Sequence, residues 1–156
     1  GLRVGELLAL NINDIDMESG VLSVTKSLNR VKSEDIISEP KTESSIREIP
    51  LPEFVVEKMR EYINMLFGRS GCDRLFAVTK SHLEKEIKRG AEVAGLKKIR
   101  VHDLRHSHAS LLISQGVDIA TISSRLGHEK SSTTLNIYSH MFEASAKGVA
   151  NMLDDL

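Results

Sequence analysis

The spacing of apolar residues changes period along the chain, and that change limits the fold more than any single motif does. Val21-Leu22-Ser23-Val24-Thr25 is short and β-branched, while Ser45-Ile46-Arg47-Glu48-Ile49-Pro50-Leu51 alternates apolar with polar residues up to a proline. Both patterns predict strands, the second half-buried. The polar, Asx-rich stretch from Asn11 to Gly20 reads as a turn, and residues 28–40 read as a polar, mobile hairpin arm. Elsewhere the period is helical. Val4, Leu7, Leu8 and Leu10 share it near the start, and Pro52 opens a helix with Phe54, Val55, Met59, Tyr62, Ile63 and Leu66 on its apolar side. Ser81, with Glu84 three residues on, predicts a capping box, and Gly95 a helix stop. Further helices are predicted from His102-Asp103 to Gly116 and from Val117-Asp118 to Gly127, the latter carrying Ile119, Ile122 and Leu126. Another, capped by Ser131 or Ser132, carries Leu135 and Tyr138, and residues 142–153 predict a last one. The expected fold class is α+β and mostly helical, with a small antiparallel β-sheet near the N-terminus packed on a helical bundle.

The 156 residues suit one domain, and 40% hydrophobic content suffices for a core. Trp is absent, so Leu, Ile and Val must do most of the packing. Cys72 is the sole cysteine, which excludes an intrachain disulfide, fits a reducing cytoplasm and reads as a loop thiol. No apolar run reaches transmembrane length and no signal peptide heads the chain, so no membrane partner is expected. The text enters directly on Gly1-Leu2-Arg3-Val4-Gly5-Glu6, which reads as a fragment of a longer protein. Net charge is −1, which taken alone argues against nucleic-acid binding. Its distribution points the other way. Between Lys80 and His108 there are eight Lys and Arg, four acids and four histidines, which read either as a local face that binds phosphate or as a solvated helix face of mixed charge.

On a helix, His102, Arg105, His106 and Ala109 share one face, read as a polar working face. Leu104, His108, Leu111 and Leu112 share another, read as the core stripe, with His108 a core or boundary residue making a structural hydrogen bond. His102 and His106 could chelate a metal at i, i+4 spacing, but Asp103 stands where a zinc-protease helix has Glu, and no third ligand is marked. A phosphate-cradling glycine loop, a dinucleotide fingerprint and a compact carboxylate cluster are all missing, so no cofactor and no metal are expected.

The order of the remaining motifs is informative. Gly1-Leu2-Arg3-Val4-Gly5-Glu6, Lys41 in Pro40-Lys41-Thr42, His102-Asp103-Leu104-Arg105-His106, Leu126-Gly127-His128 and Tyr138 follow one another over essentially the whole chain. In this the sequence resembles the catalytic domain of the tyrosine recombinases, the phage integrase family, in the flavour of temperate-phage and conjugative-transposon integrases. The stretch Val101–His140 is the most specific part. The resemblance implies the DNA breaking-rejoining fold, with Arg3 and Arg105 as catalytic arginines, Lys41 as the hairpin lysine, and His102 and His128 as the two histidines. Tyr138 would be the nucleophile and Glu6 a supporting residue beside Arg3. Lys26 and Lys32 lie in the same hairpin region, but the Thr42–Pro50 segment after Lys41 matches the family's strand best. The family has further helices before the first arginine and a separate DNA-clamping domain before those, so the chain reads as an N-terminally truncated catalytic domain spanning residues 1–156.

The implied reaction is cleavage and rejoining of double-stranded DNA through a 3′-phosphotyrosine, with His102 exchanging the Tyr138 proton and Lys41 protonating the leaving 5′ oxygen. The implied assembly is a homotetramer on DNA, with accessory DNA-bending or directionality proteins. Residues 142–153 carry Phe142, Ala146, Val149, Met152 and Leu153 at helical spacing. They read either as a tail docking on a neighbouring subunit or as a helix completing the domain's own core. Rival readings are a topoisomerase using the same tyrosine chemistry, a silent DNA-binding module of the same fold, and a metal-dependent nuclease.

Overall fold

The computed structural model describes residues 1–139 apart from Ser33 and Lys41. The helix expected over 142–153 lies outside the described residues. The first half holds helix α1 (Val4–Ala9) and strands β1 (Ile15–Asp16), β2 (Val21–Val24), β3 (Ser27–Val31), β4 (Glu34–Ser38) and β5 (Arg47–Pro50). The second half is helical: α2 (Glu53–Asn64), α3 (Lys80–Val93), α4 (Val101–Ser114), α5 (Ile119–Leu126) and a helix, α6, that includes residues 131–139. The α+β, mostly helical reading holds. None of the described helices is long and apolar enough to cross a membrane.

The antiparallel sheet runs β1-β2-β5, pairing Ile15 with Leu22 and Leu22 with Ile49. These three side chains share a buried face with Leu10, Val24 and Leu75, and Met59, Tyr62, Ile63 and Leu66 of the α2 region pack against it. Successive strand residues point to opposite faces, so Arg47, two residues before Ile49 and paired with Val24, points inward with them. Ile46, the apolar residue just before β5, is exposed. Phe54 is likewise exposed, and Val56 is the buried residue of α2.

β3 and β4 form a separate two-stranded ribbon. The arm expected to be mobile is therefore paired along both five-residue strands, and Arg74 ties it down by an ion pair to Asp35 at 2.9 Å. Its turn holds Lys32 at φ 47, and Lys26, just before the ribbon, is engaged by Asp14. α1 lies directly on β3. A Cβ at Gly5 would come within 2.8 Å of the Leu28 carbonyl oxygen, so glycine permits that approach.

A second core joins Ala109 and Ile113 of α4, Ile122 and Leu126 of α5, and Tyr138 of α6. The face of α4 expected to be core is largely solvent-facing: Leu104 is 48% and Leu111 58% exposed, while Arg105 and Ala109 are buried. Only Leu112 of the expected stripe packs on the core. The reason is that Arg105 and His106 turn inward to their partners, Gly1 O, Leu126 O, His128 and Tyr138. Helix ends follow local chemistry. Thr79, rather than Ser81, caps α3 by accepting from the His82 N–H, Asp118 caps α5, and α6 is already helical at Ser131.

These burial assignments separate two substitutions. Ile122→Ala should cost about 2–5 kcal/mol in chemical denaturation, since Ile122 is fully enclosed. Leu111→Gln should stay within about 0.5 kcal/mol of the parent. A large loss for Leu111→Gln would restore the other face of α4 as the buried one.

Candidate active site

The two cores meet along a seam of charged side chains, and Glu6 stands at its centre. It is the third residue of α1 and only 2% exposed. Its carboxylate accepts from the Arg3 backbone N–H at 2.8 Å and from Arg3 Nη1 at 2.8 Å. It also accepts from Arg47 Nη1 at 3.1 Å and Nη2 at 2.9 Å. Burial pushes this carboxyl's pKa up, but the hydrogen bonds from Arg47 and Arg3 outweigh it and hold the pKa below the usual value. A carboxyl depressed in the folded state contributes stability above its unfolded pKa, and that stability is lost as pH falls through the folded value.

The C-terminus of α5 supplies the other half of the seam. A helix leaves its last carbonyls without intrahelical partners and carries partial negative charge there. Three arginines take three consecutive ones: Arg47 Nε donates to Arg125 O at 2.9 Å, Arg105 Nη2 to Leu126 O at 2.7 Å, and Arg3 Nη2 to Gly127 O at 2.8 Å. Arg47 gives four donors to three separated acceptors, a fork that lysine cannot reproduce. Gly127 closes the helix at φ 67, and a Cβ there would lie 2.8 Å from Arg47 Nη1. Glycine is thus required both by backbone conformation and by the arginine lying against it.

Beyond Gly127 the chain delivers His128 to Arg105. Arg105 Nη2 lies 2.9 Å from His128 Nε2, and a guanidinium only donates, so Nε2 is the acceptor and Nδ1 carries the proton. That proton goes to the Thr134 hydroxyl at 2.8 Å. Burial, with Arg105 and Arg3 nearby, lowers the His128 pKa to about 4, consistent with a neutral ring. Arg105 itself is 4% exposed, and burial lowers its pKa to about 10, still cationic at neutral pH. Its Nη1 donates to Gly1 O at 2.6 Å, while its Nε makes no hydrogen bond among the described residues.

The Tyr138 hydroxyl lies 2.8 Å from His106 Nδ1. The His102 ring stands edge-on to His106 with centroids 4.7 Å apart. Tyr138 is buried, and burial raises its pKa. Burial likewise lowers that of His102.

Of the residues singled out in the sequence, Arg3, Glu6, Arg105 and His128 thus meet around the α5 C-terminus. Tyr138 and His102 join one helical step along α4, through His106. Lys41 lies outside the described residues. His108 receives Arg125 Nε at a long 3.4 Å, the boundary contact expected of it. The direct partner of the tyrosine oxygen is His106, not His102, because His106 is on the side of α4 that α6 crosses. Arg47, His106 and Thr134 were not marked as site residues. Arg47 carried a usable signal, a charge at an inward strand position, and His106 lay on the face already read as working. Nothing in the sequence distinguished Thr134.

The phage integrase family model matches residues 1–145. The chain is 36% identical to the ICEBs1 integrase of Bacillus subtilis (strain 168), covering all of this chain and 46% of that protein. It is 32% identical to a XerC-like tyrosine recombinase of Caldanaerobacter subterraneus subsp. tengcongensis, again over all of this chain and 46% of the relative. Among solved structures, the Tn1549 transposon integrase in complex with transposon right-end DNA superposes with a TM-score of 0.82 at 26% identity, covering 97% of this chain and 55% of that one. A XerA recombinase crystal structure superposes with a TM-score of 0.70 at 28% identity, covering 94% and 53%. The chain spans about half the length of the curated relatives it matches.

Two substitutions test the seam. Glu6→Gln should destabilise the domain by about 3–5 kcal/mol at neutral pH, because it strips the counter-charge from a buried guanidinium. The gap from the parent should narrow in acid, as the parent's own Glu6 takes up a proton. Gly127→Ala should cost at least about 1–2 kcal/mol from the left-handed backbone alone, plus displacement of Arg47. Denaturation midpoints of both variants at neutral and acid pH decide each case.

Proposed function

The chain belongs to the phage integrase family, and we propose that it is the catalytic part of a site-specific recombinase that cleaves and rejoins double-stranded DNA through Tyr138. The observation that carries this reading is the anchoring of Arg3 and Arg105 on neighbouring carbonyls, Gly127 O and Leu126 O, with His128 against Arg105. Two fixed guanidiniums suit the two non-bridging oxygens of a phosphodiester. The arginines divide the work by the donors they keep. The Arg3 side chain is 39% exposed and can meet a phosphate, and the Nε of Arg105 has no hydrogen bond among the described residues, whereas all three nitrogens of Arg47 are spent on protein acceptors and it stays inside as a brace.

In the proposed reaction, the Tyr138 oxygen attacks phosphorus while Arg3, Arg105 and His128 hold the phosphate. The Oη–P bond forms, the P–O5′ bond breaks, and Lys41 protonates the departing 5′ oxygen. The products are a 3′-phosphotyrosine and a free 5′ hydroxyl. The ester keeps the bond energy, so rejoining runs the same steps backward without ATP. His102, edge-on to the histidine that holds Tyr138, belongs to the machinery at the nucleophile. A phenol ionises near pH ~10 and burial raises Tyr138 further, so attack at neutral pH needs a proton acceptor. Tetrameric assembly on two duplexes, a DNA-clamping domain, accessory proteins and a cytoplasmic, DNA-associated setting belong to the same proposal for the whole protein.

The test uses the whole protein that carries this chain. A random-sequence duplex pool is selected for detergent-resistant adducts with the parent protein, in the presence of EDTA. The adduct should map by peptide mass spectrometry to Tyr138, and Tyr138→Phe should abolish it while keeping the parent's melting temperature. An adduct that persists in Tyr138→Phe, or that maps to another residue, would overturn the reading.

A further inference from the structure

We infer that His106 is the group that takes the Tyr138 proton during cleavage and returns it during rejoining. This rests on the recombinase reading of Tyr138 above.

His106 and Tyr138 come from different helices, 32 residues apart, and meet at 2.8 Å between Nδ1 and the phenol oxygen. Proton transfer requires that kind of direct hydrogen-bonded contact. His106 follows Arg105 immediately in α4. One helix therefore carries the guanidinium that would hold the phosphate and, on the next residue, the nitrogen that holds its attacker. The buried Tyr138 ring fixes the phenol's approach, since the ring packs with Ala109, Ile113, Ile122 and Leu126.

The other basic groups nearby are committed or one step removed. His128 Nε2 accepts from Arg105, and its Nδ1 proton is given to Thr134. Arg105 is cationic and has no lone pair to offer. His102 touches the His106 ring edge-on, with centroids 4.7 Å apart, and so packs the acceptor in place. Among the described residues, no hydrogen bond joins His102 to the Tyr138 hydroxyl, whereas His106 makes one.

The step balances with His106 as the neutral Nε2–H tautomer. The phenol O–H donates to Nδ1. As Oη bonds to phosphorus, the O–H proton moves to Nδ1 and leaves an imidazolium. The P–O5′ bond breaks, and its electron pair goes to the 5′ oxygen, which is protonated from the opposite side of the phosphate. In rejoining, the 5′ hydroxyl attacks phosphorus, the Oη–P bond breaks, and Nδ1 returns its proton to the phenolate. No cofactor or external base is consumed.

Single-turnover cleavage by the whole protein tests the inference, using the adduct-selected duplex carrying a nick beside the scissile phosphate so that cleavage is trapped. His106→Asn keeps a hydrogen-bonding atom near the Nδ1 position but is not basic. It should bind the duplex within about twofold of the parent and melt at the same temperature, yet form the adduct about 100-fold or more slowly, the usual scale of general-base catalysis. The defect should persist on a duplex with bridging 5′ sulfur, whose leaving group needs no protonation. Cleavage by His106→Asn within threefold of the parent, or recovery on the sulfur duplex, would overturn the inference. A Tyr138→Phe control keeps the failures apart: a normal rate in His106→Asn with no adduct in Tyr138→Phe sinks the His106 role alone. Nitrogen-15 histidine NMR of the unmodified protein decides the matter should His106→Asn fail to fold. Nδ1 of His106 should be the unprotonated nitrogen in the free protein at neutral pH, and a protonated Nδ1 there would contradict it.

Discussion

The buried carboxylate of Glu6 is the constraint around which this molecule is arranged. A charge removed from water must be matched by donors close at hand or become neutral. Here the matching groups are Arg3 and Arg47, one at the start of α1 and one on the inner face of β5. Once those are bound to Glu6, their remaining donors reach across to α5. A local need for charge compensation thus becomes the joint between two hydrophobic cores. Replacing such a network with apolar side chains could be neutral or favourable for stability. What it supplies instead is orientation, with guanidiniums fixed to within a hydrogen bond of stated carbonyls.

Among the described residues, the seam also carries more positive than negative charge, even with Glu39 lining the cavity beside Arg3 and Glu6. Three guanidiniums, those of Arg3, Arg47 and Arg105, gather around one carboxylate and the partial charges of one helix end. Arg3 and Arg47 lie close enough to lower the Arg105 pKa, with burial the larger cause. A phosphodiester entering beside Arg3 would relieve that repulsion, so affinity for an anion is built into the charge balance. On the proposed function, the exposed side of Arg3 would admit a DNA phosphate, and the sealed position of Arg47 would keep the arrangement rigid beforehand. A chain with net charge −1 can serve in this way because its positive charge is local.

Much of this was legible in the sequence. The shift from period two to helical spacing located the sheet and the bundle, and the side chains of Arg3, Glu6, Arg105 and His128 lie together at the end of α5. What the sequence concealed follows from contacts between distant segments. A helix face bearing Arg105 reads as solvent-facing until its acceptors, Gly1 O and Leu126 O, are in place. Leu104 and Leu111 read as core for the converse reason. The alternation of residues 45–51 was correctly seen as half-buried, but register alone assigned Arg47 rather than Ile46 to the inner face. His102 and His106 could not be told apart by spacing, since the choice between them depends on where α6 crosses α4.

On the proposed function, Arg3 and Arg105 form one anion site held open by the Glu6 seam. Titrating inorganic phosphate into protein with nitrogen-15 arginine, while following the side-chain Nε–H signals, tests it directly. The Arg3 and Arg105 signals should move together with a single midpoint, while Arg89, paired with Glu86 on exposed α3, stays unaffected. Independent midpoints for Arg3 and Arg105, or a response from Arg3 alone, would contradict it.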